Sequence, residues 1–83
     1  MNLLKTVVDD LSSILKKNGI DEVIDMRISN LDNYDYQINN LVKHQNHPNV
    51  ESIKEEISNK LTLSELIDVF DFAKNLFINI QIN

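Results

Sequence analysis

Cysteine and tryptophan are absent from these 83 residues, and there is one glycine and one proline. Without cysteine there is no disulfide framework and no thiolate metal site. A single glycine cannot build a phosphate-cradling loop. With no tryptophan, the core must come from Ile, Leu, Val and Phe. No apolar run approaches the roughly 18–20 residues that span a bilayer. The start, "MNLLKTVVDDLSSILKK", carries Asp9 and Asp10 mid-way and is amphipathic, so it does not read as a secretory signal. The expected setting is therefore soluble and cytoplasmic. Positive charge is also scarce. Eight basic residues face 13 acidic ones, for a net charge of −5. Only Lys16–Lys17 forms a doublet. This balance lacks the basic patch that releases counterions from a phosphate backbone, which argues against tight autonomous binding to DNA or RNA.

What is present reads as one domain over residues 1–83, near the small end of what folds alone. Leu3, Leu4, Val7, Val8, Leu11, Ile14 and Leu15 recur at helical spacing, which predicts an amphipathic helix over about residues 2–17. Lys16 and Lys17 suit its C-terminal end, and Gly19 suits a left-handed cap. In "EVIDMRI", Ile24, Met26 and Ile28 alternate with Val23, Asp25 and Arg27, as in a half-buried strand. "SNLDNYD" is a loop. "YQINNLVKHQNH" predicts a short helix that Pro48 ends. Asn49 then caps a second long helix through "VESIKEEISNKL". A strand over about Ile67–Phe72, a turn at "AKN" and a strand over Leu76–Ile82 form a hairpin. The order is α-β-α-α-β-β. It implies an α+β fold, with helices packed on one face of a small, mainly antiparallel sheet.

Little of this supports catalysis. His44 and His47 sit three apart beside Pro48 without a third ligand, and read as surface histidines, so no metal is expected. Asp9–Asp10, Asp21–Glu22 and Glu55–Glu56 are neighbours that point about 100° apart on a helix and form no acid–base pair. No cofactor is expected in this chain. Two polar–aromatic clusters remain. "NYDYQIN" holds Tyr34, Tyr36, Gln37 and Asn39, which either bind a ligand or pin the loop to the following helix. In "KNLFINIQIN", period two puts the isoleucines on one face and Phe77, Asn79 and Gln81 on the other. An aromatic stacks on a base and a carboxamide pairs with a base edge, so that second face is either a solvated sheet surface or a nucleotide platform.

Taken in order, three segments resemble the N-terminal additional domain of arginyl-tRNA synthetases. "DYQIN" (Asp35–Asn39) is similar to that family's "DYQ-x-N" element. "HPNVESIKEEISNKL" resembles its "NP"-initiated helix ending in "I-x-x-x-L". "LIDVFDFAKNLFINI" resembles its closing hairpin, "LIEKVEVAGPGFINI": Leu66 and Ile67 match the start, Ala73 opens the turn, and Phe77–Ile80 is identical. The resemblance implies a tRNA-binding module that reaches the outer corner of tRNA(Arg). There it would contact the D-loop, including a nucleotide often modified to dihydrouridine. By position the contacts would be Lys74, Phe77 and Asn79, with Gln81 beside them and Tyr36, Gln37 and Asn39 as secondary candidates. The turn departs from the family: "AGPG" is "AKNL", and Leu76 replaces a glycine. The family's "HIGH"- and "KMSK"-like motifs are absent, so this chain does not itself charge tRNA. ATP and arginine would bind the catalytic domain of a parent arginine–tRNA ligase, a partner in cis. The end at Asn83 is expected to mark a domain boundary. The rival expectation is a free-standing protein-interaction module that keeps the fold, has lost tRNA binding, and offers its C-terminal strand for strand addition.

Overall fold

The computed structural model describes residues 4–83. Helix α1 spans Leu4–Lys17, so the expected contribution of Leu3 lies outside the described residues. Val7, Leu11, Ile14 and Leu15 are its buried face, as their spacing requires. Gly19 ends the helix at φ +82. Ile20 N–H donates to Leu15 O and Gly19 N–H donates to Lys16 O, the paired bonds of a Schellman cap. Ile20, just past the cap, is buried in the core. A glycine is needed at this point because a Cβ is disfavoured at that φ.

Strands β1 (Met26–Ile28) and β2 (Tyr36–Ile38) follow, then a 3₁₀ helix (Asn40–His44) and helix α2 (Val50–Leu63). Strands β3 (Ile67–Phe72) and β4 (Ile78–Ile82) close the chain. The α-β-α-α-β-β order is present, with the three-residue strand β2 added before the 3₁₀ helix. The tyrosine, glutamine and isoleucine of β2 were expected to begin a helix. The structure extends them instead, because β2 is gripped on both sides, by β1 and by β4. Asn39 and Asn40, poor helix formers, mark the change from strand to 3₁₀ helix. Asn49 occupies the expected N-cap of α2 but makes no side-chain cap bond. Its amide instead donates to Asn18 Oδ1 at 3.4 Å.

The sheet is fully antiparallel, in the order β1-β2-β4-β3. The C-terminal strand is therefore internal, which corrects the expectation that it is an edge open to strand addition. Its outer ladder groups face β2 and β3, and the Asp35 carboxylate takes the Ile82 N–H at 2.9 Å. The free edges belong to β1 and β3.

Register assigns the two faces. Met26, Ile38, Ile78 and Phe72 form one row, and Ile28, Tyr36, Ile80 and Phe70 another. Ile38, Ile78 and Ile80 from these rows join the buried residues of α1 and α2 in one core. Both helices thus cover this face and leave the other open. Cover stops short of the β1 corner, where Ile28 is 81% exposed despite its inward parity.

The β3–β4 turn carries the one non-glycine residue with positive φ among those described, Leu76 at +69. Leu76 N–H donates to Ala73 O, and Ala73 N–H donates to Phe77 O, both at 2.8 Å. This is the turn at which the related hairpin sequence carries glycine. The left-handed conformation costs an L-residue about 1–2 kcal/mol. Burying a leucine side chain contributes about 1.5–3 kcal/mol, and Leu76 is buried in the core. Burial therefore outweighs the strain, and a side chain survives where glycine is usual.

Candidate functional site

The open face of the sheet is polar. Across its middle runs one row from four strands: Arg27, Gln37, Asn79 and Asp71 are successive register partners. Gln81 pairs with Val69 in the next row. Alternation along β4 puts Phe77, Asn79 and Gln81 on this side. Gln37 shares it by register, whereas Asn39 lies just past the end of β2, at the start of the 3₁₀ helix. Tyr36 does not: it is the partner of Ile80 and sits half-buried at the margin of the core face. The structure thus gathers Phe77, Asn79, Gln81 and Gln37 on one face, places Asn39 beyond the end of β2, and separates Tyr36 from them. Two residues not anticipated from the sequence, Arg27 and Asp71, join that row. Only strand pairing reveals them, since Arg27 lies 52 and Asp71 8 positions from Asn79, in no motif of their own.

Exposure differs along the row. Phe77 and Gln81 are half-buried and Lys74 is exposed in the turn. Asn79 is only 4% exposed, less open than a residue on an uncovered face was expected to be. The reason is its place in the middle of the ladder, with Gln37 and Asp71 on either side and Phe77 and Gln81 along the strand. Its Oδ1 is buried and has no hydrogen-bond partner among the described residues; the same holds for Asn39 Oδ1. Buried carboxamide oxygens without partners are uncommon and call for a donor.

Charge is arranged unevenly. Arg27 lies against Asp25, with Nε to Oδ1 at 3.0 Å and a second guanidinium bond to Oδ2 at 3.2 Å. Lys5, Lys17, Lys43 and Lys54 also pair with carboxylates. Among the described residues Lys16, Lys60 and Lys74 make no ion pair, and of these only Lys74 lies beside the open face. Gln45 Nε2 donates to Asn75 O at 3.3 Å and to Val42 O at 2.8 Å, which ties the Lys74 turn to the 3₁₀ helix.

A second polar cluster is centred on Asn40 and Glu22. Asn40 is buried; its Oδ1 accepts from Asp25 N–H at 2.6 Å, and its Nδ2 donates to Val23 O at 2.9 Å and Glu22 Oε1 at 3.1 Å. Glu22 Oε2 also meets His44 Nε2 at 2.8 Å and Lys43 Nζ at 3.2 Å. This explains His44 as a structural partner of Glu22. His47 accepts from Asn49 N–H through Nδ1. No group of three or more metal-ligating side chains occurs among the described residues. Partial burial raises the Glu22 pKa, but hydrogen bonds from His44, Asn40 and Lys43, with the His44 charge, outweigh it and hold the carboxyl below its ordinary 4.5. A depressed carboxyl contributes stability that is present above the unfolded value and is lost as pH falls through the folded one. Urea unfolding of wild type and Glu22→Gln, followed from neutral pH to well below 4.5, should therefore converge as the pH drops. A constant gap between the two would rule out this coupling.

No helix among the described residues is long and apolar enough to cross a membrane. Neither a curated protein nor a solved structure matches the chain. The family model described as the arginyl tRNA synthetase N terminal domain matches residues 1–82. With nearly the whole length matched, and with the α+β fold and closing hairpin in place, the chain belongs to the arginyl-tRNA synthetase N-terminal domain family.

Proposed function

We propose that the open sheet face is an RNA-contacting surface that engages the D-loop corner of tRNA(Arg), as a module of an arginine–tRNA ligase whose catalytic domain binds ATP and arginine. The observation that carries this reading is the gathering of Phe77, Asn79, Gln37 and Gln81 on a helix-free face, next to a lysine without a carboxylate partner. A half-buried phenylalanine offers a ring for stacking a base. The carboxamides offer donors and acceptors to base edges, and Asn79 Oδ1 has no hydrogen-bond partner among the described residues. Lys74 supplies one phosphate contact. Charge sets the strength. With a net charge of −5, the chain binds weakly by itself, and the rest of the synthetase supplies most phosphate contacts.

Nitrogen-15 NMR titration with a tRNA(Arg) transcript tests this. Shifts should centre on Lys74, Phe77, Asn79 and Gln81, with the α1 surface around Asp9 and Ser13 silent. One lysine–phosphate contact on an unpaired strand predicts a shallow log–log salt slope, about −0.7. Shifts centred on the helices, or none at low salt, would refute the reading.

A further inference from the structure

Beside the proposed RNA face lies an open cleft of about 440 Å³, lined among others by Val23, Asp25, Asn39 and Val42. We infer that this cleft is a second base subsite, which takes a nucleobase with an exocyclic amino group from the nucleotide next to the one stacked on Phe77. The inference rests on the proposed contact at Phe77.

Position is the first argument. Ile38 and Ile78 are register partners, and Asn39 and Phe77 are the residues just beyond that pair, where β2 ends and β4 begins. Neighbouring strands are about 4.8 Å apart, so the cleft begins one strand away from the ring. Its size falls in the range of small-ligand sites, about 300–1,000 Å³.

The second argument is chemical. Asn39 holds the N-cap position of the 3₁₀ helix, where an asparagine oxygen ordinarily accepts a backbone N–H. Here it makes no cap bond, and its Oδ1 is buried without a partner. The other acceptors in the wall are committed: Glu22 to Asn40, His44 and Lys43, and Asp25 to Arg27. Two carboxylates against one paired lysine disfavour a phosphate. Val23, 90% exposed, and half-buried Val42 offer apolar surface to a flat ring. The complementary ligand is flat, uncharged and donates hydrogen bonds. An amino-bearing base has all three properties, whereas uracil turns carbonyl oxygens toward the carboxylates.

The test uses D-stem-loop RNA hairpins of tRNA(Arg), with each loop position changed in turn between adenosine and uridine, titrated into the full chain. At one position adenosine should bind about three- to tenfold tighter, the worth of one added hydrogen bond. Asn39→Leu should erase that preference. So should Val23→Lys, an exposed site where substitution does not threaten folding and where a donor replaces apolar surface at the cleft mouth. Phe77→Ala should weaken every hairpin. If Phe77→Ala does so while wild type prefers adenosine nowhere, or if the preference survives both cleft variants, the subsite is wrong and the Phe77 reading stands. If wild type binds no hairpin, both fall.

Discussion

Replacing Asn40 by alanine is expected to lower the unfolding free energy by about 3 kcal/mol, the largest loss from any single polar side chain of the domain. Three bonds disappear together: from Asp25 N–H, to Val23 O and to Glu22 Oε1. A buried polar group left without a partner costs about 1–3 kcal/mol, and a bond to a charged group contributes about 1.5–3 kcal/mol. Partial access of water to Val23 and Asp25 keeps the loss near the low end of their sum, about 3 kcal/mol. A domain of this size has about 4–12 kcal/mol in total, at roughly 0.05–0.15 kcal/mol per residue. The variant is therefore expected to lose a large fraction of its stability and about 12–24 °C in melting temperature. Urea denaturation with an unchanged m-value is the measurement. A loss below about 1 kcal/mol would mean that water replaces all three bonds. Asn40→Asp is the sharper variant. It keeps an acceptor for Asp25 N–H, but loses both donated bonds and sets a second carboxylate against Glu22. It should be at least as damaging.

Phe77→Ala is expected to weaken binding to tRNA(Arg) by about 10- to 100-fold, because stacking a base on an aromatic ring contributes about 1–3 kcal/mol. Phe77 is half-buried, so circular dichroism and thermal unfolding must first show that the variant folds. Leu63→Ala is the matched control. Leu63 ends α2, on the helix side of the sheet, and is exposed. It should leave affinity unchanged. Equal affinity for wild type and Phe77→Ala would remove the aromatic from the interface. A comparable loss for Leu63→Ala would move the RNA to the helices.

Both predictions concern residues whose roles were legible to different degrees. Phe77 stood out because period two separates it from the isoleucines, and because its surrounding "FINI" resembles a known hairpin. Asn40 did not stand out. In sequence it is one of two adjacent asparagines before an apolar pair, and its partners lie 15 to 18 positions away. Nothing local marks such bonds. His44 shows the same limit, since its pairing with Glu22 across 22 positions is invisible to any motif. The burial of Asn79 is hidden from the sequence for a related reason. Parity assigns a face, but it says nothing of how far neighbours on adjacent strands close over a side chain.

By itself the sequence determined the two long helices, the β3–β4 hairpin, the glycine cap after α1 and the isoleucine face of β4. Each depends on contacts within a few residues, where period, cap chemistry and turn residues act directly. The tertiary structure alone decided the rest. It extended Tyr36–Ile38 as a strand, because pairing on both sides outweighs a weak helical pattern. It placed the C-terminal strand inside the sheet and aligned Arg27, Gln37, Asn79 and Asp71 in one row. These outcomes depend on which strands pair, and that choice is set by burying one apolar face under two helices, a requirement of the whole chain that no single segment records.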